Sequence, residues 1–315
     1  MRAVVFRRFG PPESAEIVER PDPMPGEGEL LLRVEAFSVN PVDWKMMTGK
    51  HRLILRPRFP ATPCFDVCGV VETLGAGAEG FAVGERVVCR PPGLTGGAAA
   101  ERIAVPADVS APAPSGLPVE AAASLPLAGQ TALQALRDAG ALEAGRSVCV
   151  IGASGGVGHF ALQLARLHGA TVSAVCSTRN VALAERLGAA RVIDYTAAPD
   201  VRDWGGEFDA IVDCVGAASA GELRRLCSPR GRVSLVAPEP RHLPALVLWP
   251  LVSRRRAGIT MLRPRGDDLR LLCDLAAKGE LEVVVDSVFE GLESLPAAFE
   301  RSMTGRVVGK VAVRV

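Results

Sequence analysis

Ser147-Val148-Cys149-Val150-Ile151-Gly152-Ala153-Ser154-Gly155-Gly156-Val157-Gly158 is the stretch whose reading decides the fold. An apolar run closed by glycines reads as a buried parallel strand, and Phe160 to His168 beyond it keeps helical spacing. Strand, glycine-rich turn and helix together make a dinucleotide-binding unit. Ala153 and Gly155 are expected to let the backbone turn tightly and approach a pyrophosphate, and Gly158 to let the helix sit close on its strand. Ser154, Gly156 and Val157 complete the cradle, where the pyrophosphate rests on the N–H groups and positive end of the helix. Any tight strand–helix turn uses glycine, so the motif alone decides little. What favours a cofactor is that the flanking pattern repeats downstream.

Working outward, strands are expected at Thr171–Cys176, Arg191–Asp194, Phe208–Cys214 and Gly231–Val236, with helical stretches Val181–Leu187 and Glu222–Cys227 between them. Such alternation implies a doubly wound parallel sheet covered on both faces, with ligands beyond the carboxyl ends of its strands. The tips to watch are 152–158, 177–180, Tyr195, Val215 with Gly216, and Ala237. Upstream, Val119–Ser124 and Gln130–Ala139 read as helices, and the proline-rich 106–118 reads as a join. Residues 1–115 read as short strands broken by turns, a β module resembling a small barrel. After a weakly patterned 238–266 come a helix at Asp267–Lys278 and strand-like pieces at 283–289 and 307–315, expected to return and complete the β module. The domains expected are thus 1–115, 116–262 and a return segment 263–315.

Composition narrows the classes of function. At 315 residues the chain has room for two cores, and 48% hydrophobic with 23% charged residues is ordinary for a globular protein. A net charge of +1, with no basic groove or aromatic platform, argues against nucleic acid or an acidic membrane as partner. The longest apolar segment, 243–252, is too short to span a bilayer; it reads as a substrate entrance or a homodimer interface. Arg254-Arg255-Arg256 reads as a solvated surface or as a dock for a phosphate-bearing carrier. The eight cysteines are scattered without a Cys-x-x-Cys pair, and the N-terminus does not resemble a signal peptide. A reducing cytoplasm is the expected location.

The tip of the second strand speaks to the cofactor. An NAD-preferring fold places a carboxylate there for the ribose hydroxyls. This chain has Cys176-Ser177-Thr178-Arg179-Asn180 instead. Hydroxyls beside a guanidinium suit a 2′-phosphate, so NADPH is expected, with Ser177 and Arg179 as its grip. The plainer alternative is a solvated loop with Asn180 as a helix cap. Tyr195, the one tyrosine in the chain, either reaches the same phosphate or packs at a domain surface.

With these residues assembled, the chain resembles the medium-chain dehydrogenases/reductases, specifically the zinc-less quinone oxidoreductase type. It is most similar there to plant enone reductases and chloroplast-envelope quinone oxidoreductase homologues. The likeness is carried by Val39 to Lys45, Phe65 to Glu72, Leu125 to Ala132, Ala153 to His159, Ile193-Asp194-Tyr195 and the closing Gly305 to Val313. It implies a GroES-like domain, a Rossmann domain and an active-site cleft between them. Where zinc-dependent relatives have a cysteine ligand this chain has Ser38, and where they have a His-Glu pair it has Phe65-Asp66; no metal is expected. The implied reaction is hydride delivery from NADPH to the β-carbon of an enone or enal, or to a quinone. Asn40 and Lys45 are candidate donors to the developing oxyanion, and Thr131 is implied to lie near the nicotinamide. Asn40 also reads as turn chemistry around Pro41, and Lys45 as a surface lysine. Lys310 reads as a cofactor contact or as a cap on the returning strand. The tyrosine that some relatives place in the substrate cleft is absent, so the α-carbon proton has another source. Two alternatives stand beside this reading: an enoyl reductase acting on a carrier-bound acyl chain, and an NADPH-binding sensor with little turnover.

Overall fold

The computed structural model describes residues 1–315 apart from 51, 53–55, 217, 243–245, 248 and 250–253. The chain forms two compact units, Met1–Gln130 with Arg263–Val315 (unit 1) and Thr131–Leu262 (unit 2). Residues 116–130, which the sequence groups with the dinucleotide-binding segment, pack in unit 1.

Unit 1 opens with an antiparallel pair, β1 (Arg2–Val5) and β2 (Glu16–Glu19). The long β3 (Glu29–Val39) leads into a short helix, α1 (Pro41–Met47). Then follow β4 (Asp66–Leu74), β5 (Arg86–Cys89), β6 (Arg102–Pro106) and β7 (Ser110–Pro112). Helix α2 (Val119–Ala122) ends this part of the chain, and α3 (Pro126–Ala139) begins in unit 1 and ends in unit 2. The helix α1 is a structural finding. The sequence Asn40-Pro41-Val42-Asp43 carries its signal, a cap residue, proline at the first helical position and an acid at the third. The Asn40 N–H donates to Asp43 Oδ2 at 2.6 Å, one half of a capping box.

Unit 2 is a six-stranded parallel sheet. Its strands are β8 (Ser147–Ile151), β9 (Thr171–Cys176), β10 (Arg191–Asp194), β11 (Phe208–Asp213), β12 (Cys227–Leu235) and β13 (Arg256–Ile259). Helices α4 (Gly158–Leu167), α5 (Val181–Arg186) and α6 (Ala220–Leu226) connect them. The order is β10-β9-β8-β11-β12-β13, that of a doubly wound dinucleotide-binding sheet. β8 is buried from Val148 to Ile151, as a strand covered on both faces must be. β13 escapes a reading of apolar runs because it is an edge strand, mostly exposed and opened by Arg256. Cys227, expected to end a helix, instead begins β12 and pairs with Phe208. Of the apolar stretch 243–252, positions 243–245, 248 and 250–252 lie outside the described residues. Trp249 is buried in the unit 2 core, with Leu246 packed against that core. In the arginine run, Arg255 is half-buried and donates to the Cys227 carbonyl at 3.0 Å.

The chain then returns to unit 1 through α7 (Gly266–Ala277), β14 (Val285–Glu290), α8 (Leu295–Met303) and β15 (Lys310–Arg314). Asp267 and Asp268 sit in the first turn of α7, where the helix dipole favours them. β15 inserts between β14 and β3, so the C-terminus completes the β sheet of unit 1, as expected. Phe6, Phe37, Met46, Met47 and Phe299 fill the core beneath it. Among the described residues no helix is long and apolar enough to cross a membrane.

Candidate active site

The sheet of unit 2 builds a cradle from backbone. At the end of β8 the chain turns at Gly152, whose φ of +79° lies in the left-handed region. Gly152, not Ala153 or Gly155, therefore supplies the conformational freedom of the turn. Gly158 does what its position suggests: a Cβ there would lie 2.1 Å from the Gly152 carbonyl oxygen. Helix α4 thus starts directly on the turn, with its first N–H groups lacking partners inside the helix. A Cβ on Gly152 would meet Val215 Cγ2 at 2.3 Å, and one on Gly216 would meet the Ala237 carbonyl oxygen at 2.3 Å. The tips after β8, β11 and β12 therefore converge, bringing Gly152, Val215 and Ala237 to one edge. Asp213 Oδ1 fixes the middle tip by accepting from the N–H groups of Val215 at 2.9 Å and Gly216 at 2.8 Å.

A second convergence lies one strand over. Asn180 precedes α5 but makes no side-chain cap. Its buried amide instead donates to Ser154 Oγ at 2.8 Å and Ser177 Oγ at 3.3 Å, tying the glycine turn to the tip of β9. Thr178 and Arg179 are exposed beyond it. Tyr195, half-exposed, follows β10, and its N–H donates to the Cys176 carbonyl at 3.0 Å. Ser177, Arg179 and Tyr195 therefore occupy adjacent strand tips. Asp194, the last residue of β10, is held below its ordinary range chiefly by a hydrogen bond from Thr178. Thr131 is buried on α3.

Unit 1 builds its site from buried charge. Asp66 opens β4 with no exposure at all, and Lys310 opens β15 at 2%. Their Nζ–Oδ2 distance is 3.2 Å. Ser38 Oγ donates to the same oxygen at 2.7 Å and Asn40 Nδ2 at 2.8 Å, while Asp66 Oδ1 accepts from the Leu127 N–H at 2.6 Å. Four donors thus converge on one carboxylate, about the number it can accept. Lys310 Nζ also donates to Asn40 Oδ1. Asp43 sits beside this group in a different state. Its Oδ1 is buried with no hydrogen-bond partner among the described residues. Burial, with Asp66 adding to it, pushes its carboxyl up to about 7 against the opposing hydrogen bond from Asn40. Arg90 lies over the Phe65 ring at 4.6 Å, and burial lowers its guanidinium. Lys45 is half-buried on α1, its Nζ 5.6 Å from the centre of the Trp44 ring.

The structure thus groups the residues singled out from sequence into two sets. Residues 152–158, Ser177, Arg179, Tyr195, Val215 and Ala237 share the carboxyl edge of the unit 2 sheet. Asn40 and Lys310 meet in unit 1, joined by Ser38, Asp43 and Asp66. In the sequence Ser38 and Asp66 read only as replacements for metal ligands, and nothing in local spacing signals that Asp66 pairs with a lysine more than 240 positions away.

Comparison with known proteins agrees with this geometry. Residues 26–115 match the alcohol dehydrogenase GroES-like domain, and residues 187–313 match the zinc-binding dehydrogenase family. The chain is 33% identical to the chloroplast envelope quinone oxidoreductase homolog of Arabidopsis thaliana, over 99% of its own length and 98% of that protein's. It is 31% identical to the 2-methylene-furan-3-one reductase of Solanum lycopersicum, over 91% of this chain and 72% of that one. The solved structure of the quinone oxidoreductase from Coxiella burnetii matches with a TM-score of 0.90 at 30% identity, covering 100% of this chain and 99% of the other. A mycobacterial protein solved in complex with NADPH matches with a TM-score of 0.85 at 27% identity, both chains being covered at 100%. By fold, by site and by these relatives, the chain belongs to the medium-chain dehydrogenase/reductase superfamily, among its NAD(P)H-dependent oxidoreductases.

Proposed function

We propose that this protein uses NADPH to reduce the carbon–carbon double bond of α,β-unsaturated ketones and aldehydes, or quinones, without a metal ion. The observation that carries the reading is that one chain carries both a dinucleotide cradle, in unit 2, and a buried, metal-unsuited charge cluster, in unit 1. Residues 152–158 and the N-terminus of α4 hold the pyrophosphate, with Val215 and Ala237 beside them. Ser177 and Arg179 grip the 2′-phosphate, supported by the absence of a carboxylate from 176–180. Tyr195 stands at the neighbouring tip. When bound, the nicotinamide supplies the hydride, and Thr131 is assigned to its vicinity.

The name of one matched family raises zinc. Zinc takes thiolate, imidazole or carboxylate ligands in a tetrahedron. Ser38 and Phe65 do not supply that chemistry, and the Asp66 carboxylate is already engaged by an ammonium, a hydroxyl, an amide and a backbone N–H. These donors do not fit a zinc ion. Hydride addition at the β-carbon pushes an electron pair onto the carbonyl oxygen, and a proton then reaches the α-carbon. The second N–H of the Asn40 amide and the Lys45 ammonium are the donors assigned to that oxygen.

The eight cysteines are all free thiols, which suits a reducing cytoplasm. The test is turnover with a chelator present throughout, NADPH and NADH in parallel, across enones, enals, quinones and an acyl thioester. Chelator-insensitive, NADPH-selective reduction of an enone or quinone is the expected result. Turnover confined to the thioester and lost on charge reversal at Arg254–Arg256 means a carrier-bound substrate. Tight NADPH binding without any turnover means a sensor.

A further inference from the structure

A buried lysine–carboxylate pair is an expensive arrangement. Desolvating two charges offsets much of their attraction, and apolar replacement of such a pair is often neutral or stabilising. What Lys310 and Asp66 achieve together is control of a third residue. The Asn40 carboxamide lies between them, its Oδ1 accepting from Lys310 and its Nδ2 donating to Asp66 at 2.8 Å. Those two bonds fix which way the amide is turned and leave one N–H uncommitted by them. The second oxygen of Asp66 accepts from the Leu127 N–H in the first turn of α3 at 2.6 Å, and Thr131 follows one turn later on that helix. Gly309 sets the position of the lysine: its φ is +74°, and a Cβ there would lie 2.1 Å from the Val284 carbonyl oxygen. The Lys310 backbone N–H is bonded to that same oxygen at 2.9 Å. The ammonium accordingly has its surroundings within unit 1: Asn40, Asp66 and, at 3.5 Å, the Val39 carbonyl.

We propose that Lys310 is a positioning residue of the reductase site, whose ammonium, held on Asp66, orients the Asn40 amide for the carbonyl oxygen of the substrate. It acts through Asn40 and not on the cofactor. The inference rests on the reductase reading above and gives one of its lysines a different task from the cofactor contact suggested by sequence.

The test compares Lys310→Met, Lys310→Arg and the double variant Asp66→Asn/Lys310→Met with the wild type. It reads kcat and KM for an enone, the NADPH dissociation constant from nicotinamide fluorescence, and Tm. For Lys310→Met the expected result is a kcat lower by about 100-fold, the scale of losing one oxyanion donor. The NADPH dissociation constant should stay within about twofold, and Lys310→Arg should recover part of kcat. Where Lys310→Met does not fold because Asp66 is left uncompensated, the double variant removes both charges; it is expected to fold, bind NADPH and remain slow. Weaker NADPH binding with kcat intact at saturating cofactor overturns the inference, because it makes Lys310 a cofactor contact. So does either Met-bearing variant turning over at the wild-type rate. Absence of turnover by the wild type itself defeats the reductase reading, and the inference falls with it.

Discussion

The two units of this protein prepare chemistry in opposite ways. Unit 2 presents backbone: a left-handed Gly152, a Gly158 with no room for a side chain, and helical N–H groups at the edge of a parallel sheet. Unit 1 presents side chains withdrawn from water, with Asp66 and Lys310 paired and Asp43 beside them carrying an oxygen that has no hydrogen-bond partner among the described residues. A backbone cradle tolerates many neighbours provided its glycines stay. A buried charge cluster tolerates almost no single change, since each member compensates another. The difference teaches where this molecule is fragile.

The strongest way to break that contrast is Asp66→Ala. It removes the carboxylate paired with the buried Lys310 ammonium, and about 3–5 kcal/mol of stability should be lost. Chemical denaturation measures this, and the paired Asp66→Asn/Lys310→Met variant should be clearly more stable than the single one. Equal stability of the two contradicts the compensation argument. Next in size is Gly158→Ala, where the added methyl meets the Gly152 carbonyl. About 1–3 kcal/mol of overpacking strain is expected, seen as a lower Tm and NADPH binding weaker by about 10-fold or more. Undiminished binding there means the turn is not the cradle.

Asp43 sharpens the comparison through pH. Its folded carboxyl sits at about 7, above the ordinary 3.8, so the fold favours the protonated form. That contribution is complete below about pH 4 and is lost as pH rises through 7. Wild-type stability should therefore decline from pH 5 to pH 8, by about 2–3 kcal/mol from this group. Asp43→Asn keeps an acceptor for the Asn40 N–H and should flatten that decline. A variant with the wild-type slope places the titration elsewhere. The smallest effect is expected at the exposed Arg179. Arg179→Ala should weaken NADPH by about tenfold, the low end for a hydrogen bond to a charged group, and leave NADH unchanged. Equal losses for both cofactors contradict a 2′-phosphate contact.

Legibility in the sequence followed the same division. A cradle made of backbone needs small residues at fixed spacing beside apolar strands. Residues 152–158 could therefore be read locally, and β9 and β10 fall where their apolar runs lie. β13 did not reveal itself, because an edge strand with exposed residues has no buried run to recognise. Asn40-Pro41-Val42-Asp43 spells the start of helix α1, but Pro41 reads equally well as a turn, so the helix is not decided by the sequence alone. Asn180 precedes a helix as expected but spends its amide on Ser154 and Ser177, a choice that tertiary contact makes. The unit 1 cluster was the least readable part. Ser38, Asn40, Asp66 and Lys310 come from three strands and a cap, and the ammonium that organises them lies 270 residues from its amide partner. Periodicity reports which side of a strand is buried, not which charges meet there.

The central claim is that hydride goes to a carbon–carbon double bond and not to a carbonyl carbon. The most direct measurement is a single turnover of an enone with NADPH deuterated at nicotinamide C4, followed by NMR of the product. The account predicts a saturated ketone carrying deuterium at the β-carbon, formed equally well with chelator present. Deuterium at the carbinol carbon of an unsaturated alcohol, or product formation that stops on chelation, contradicts it.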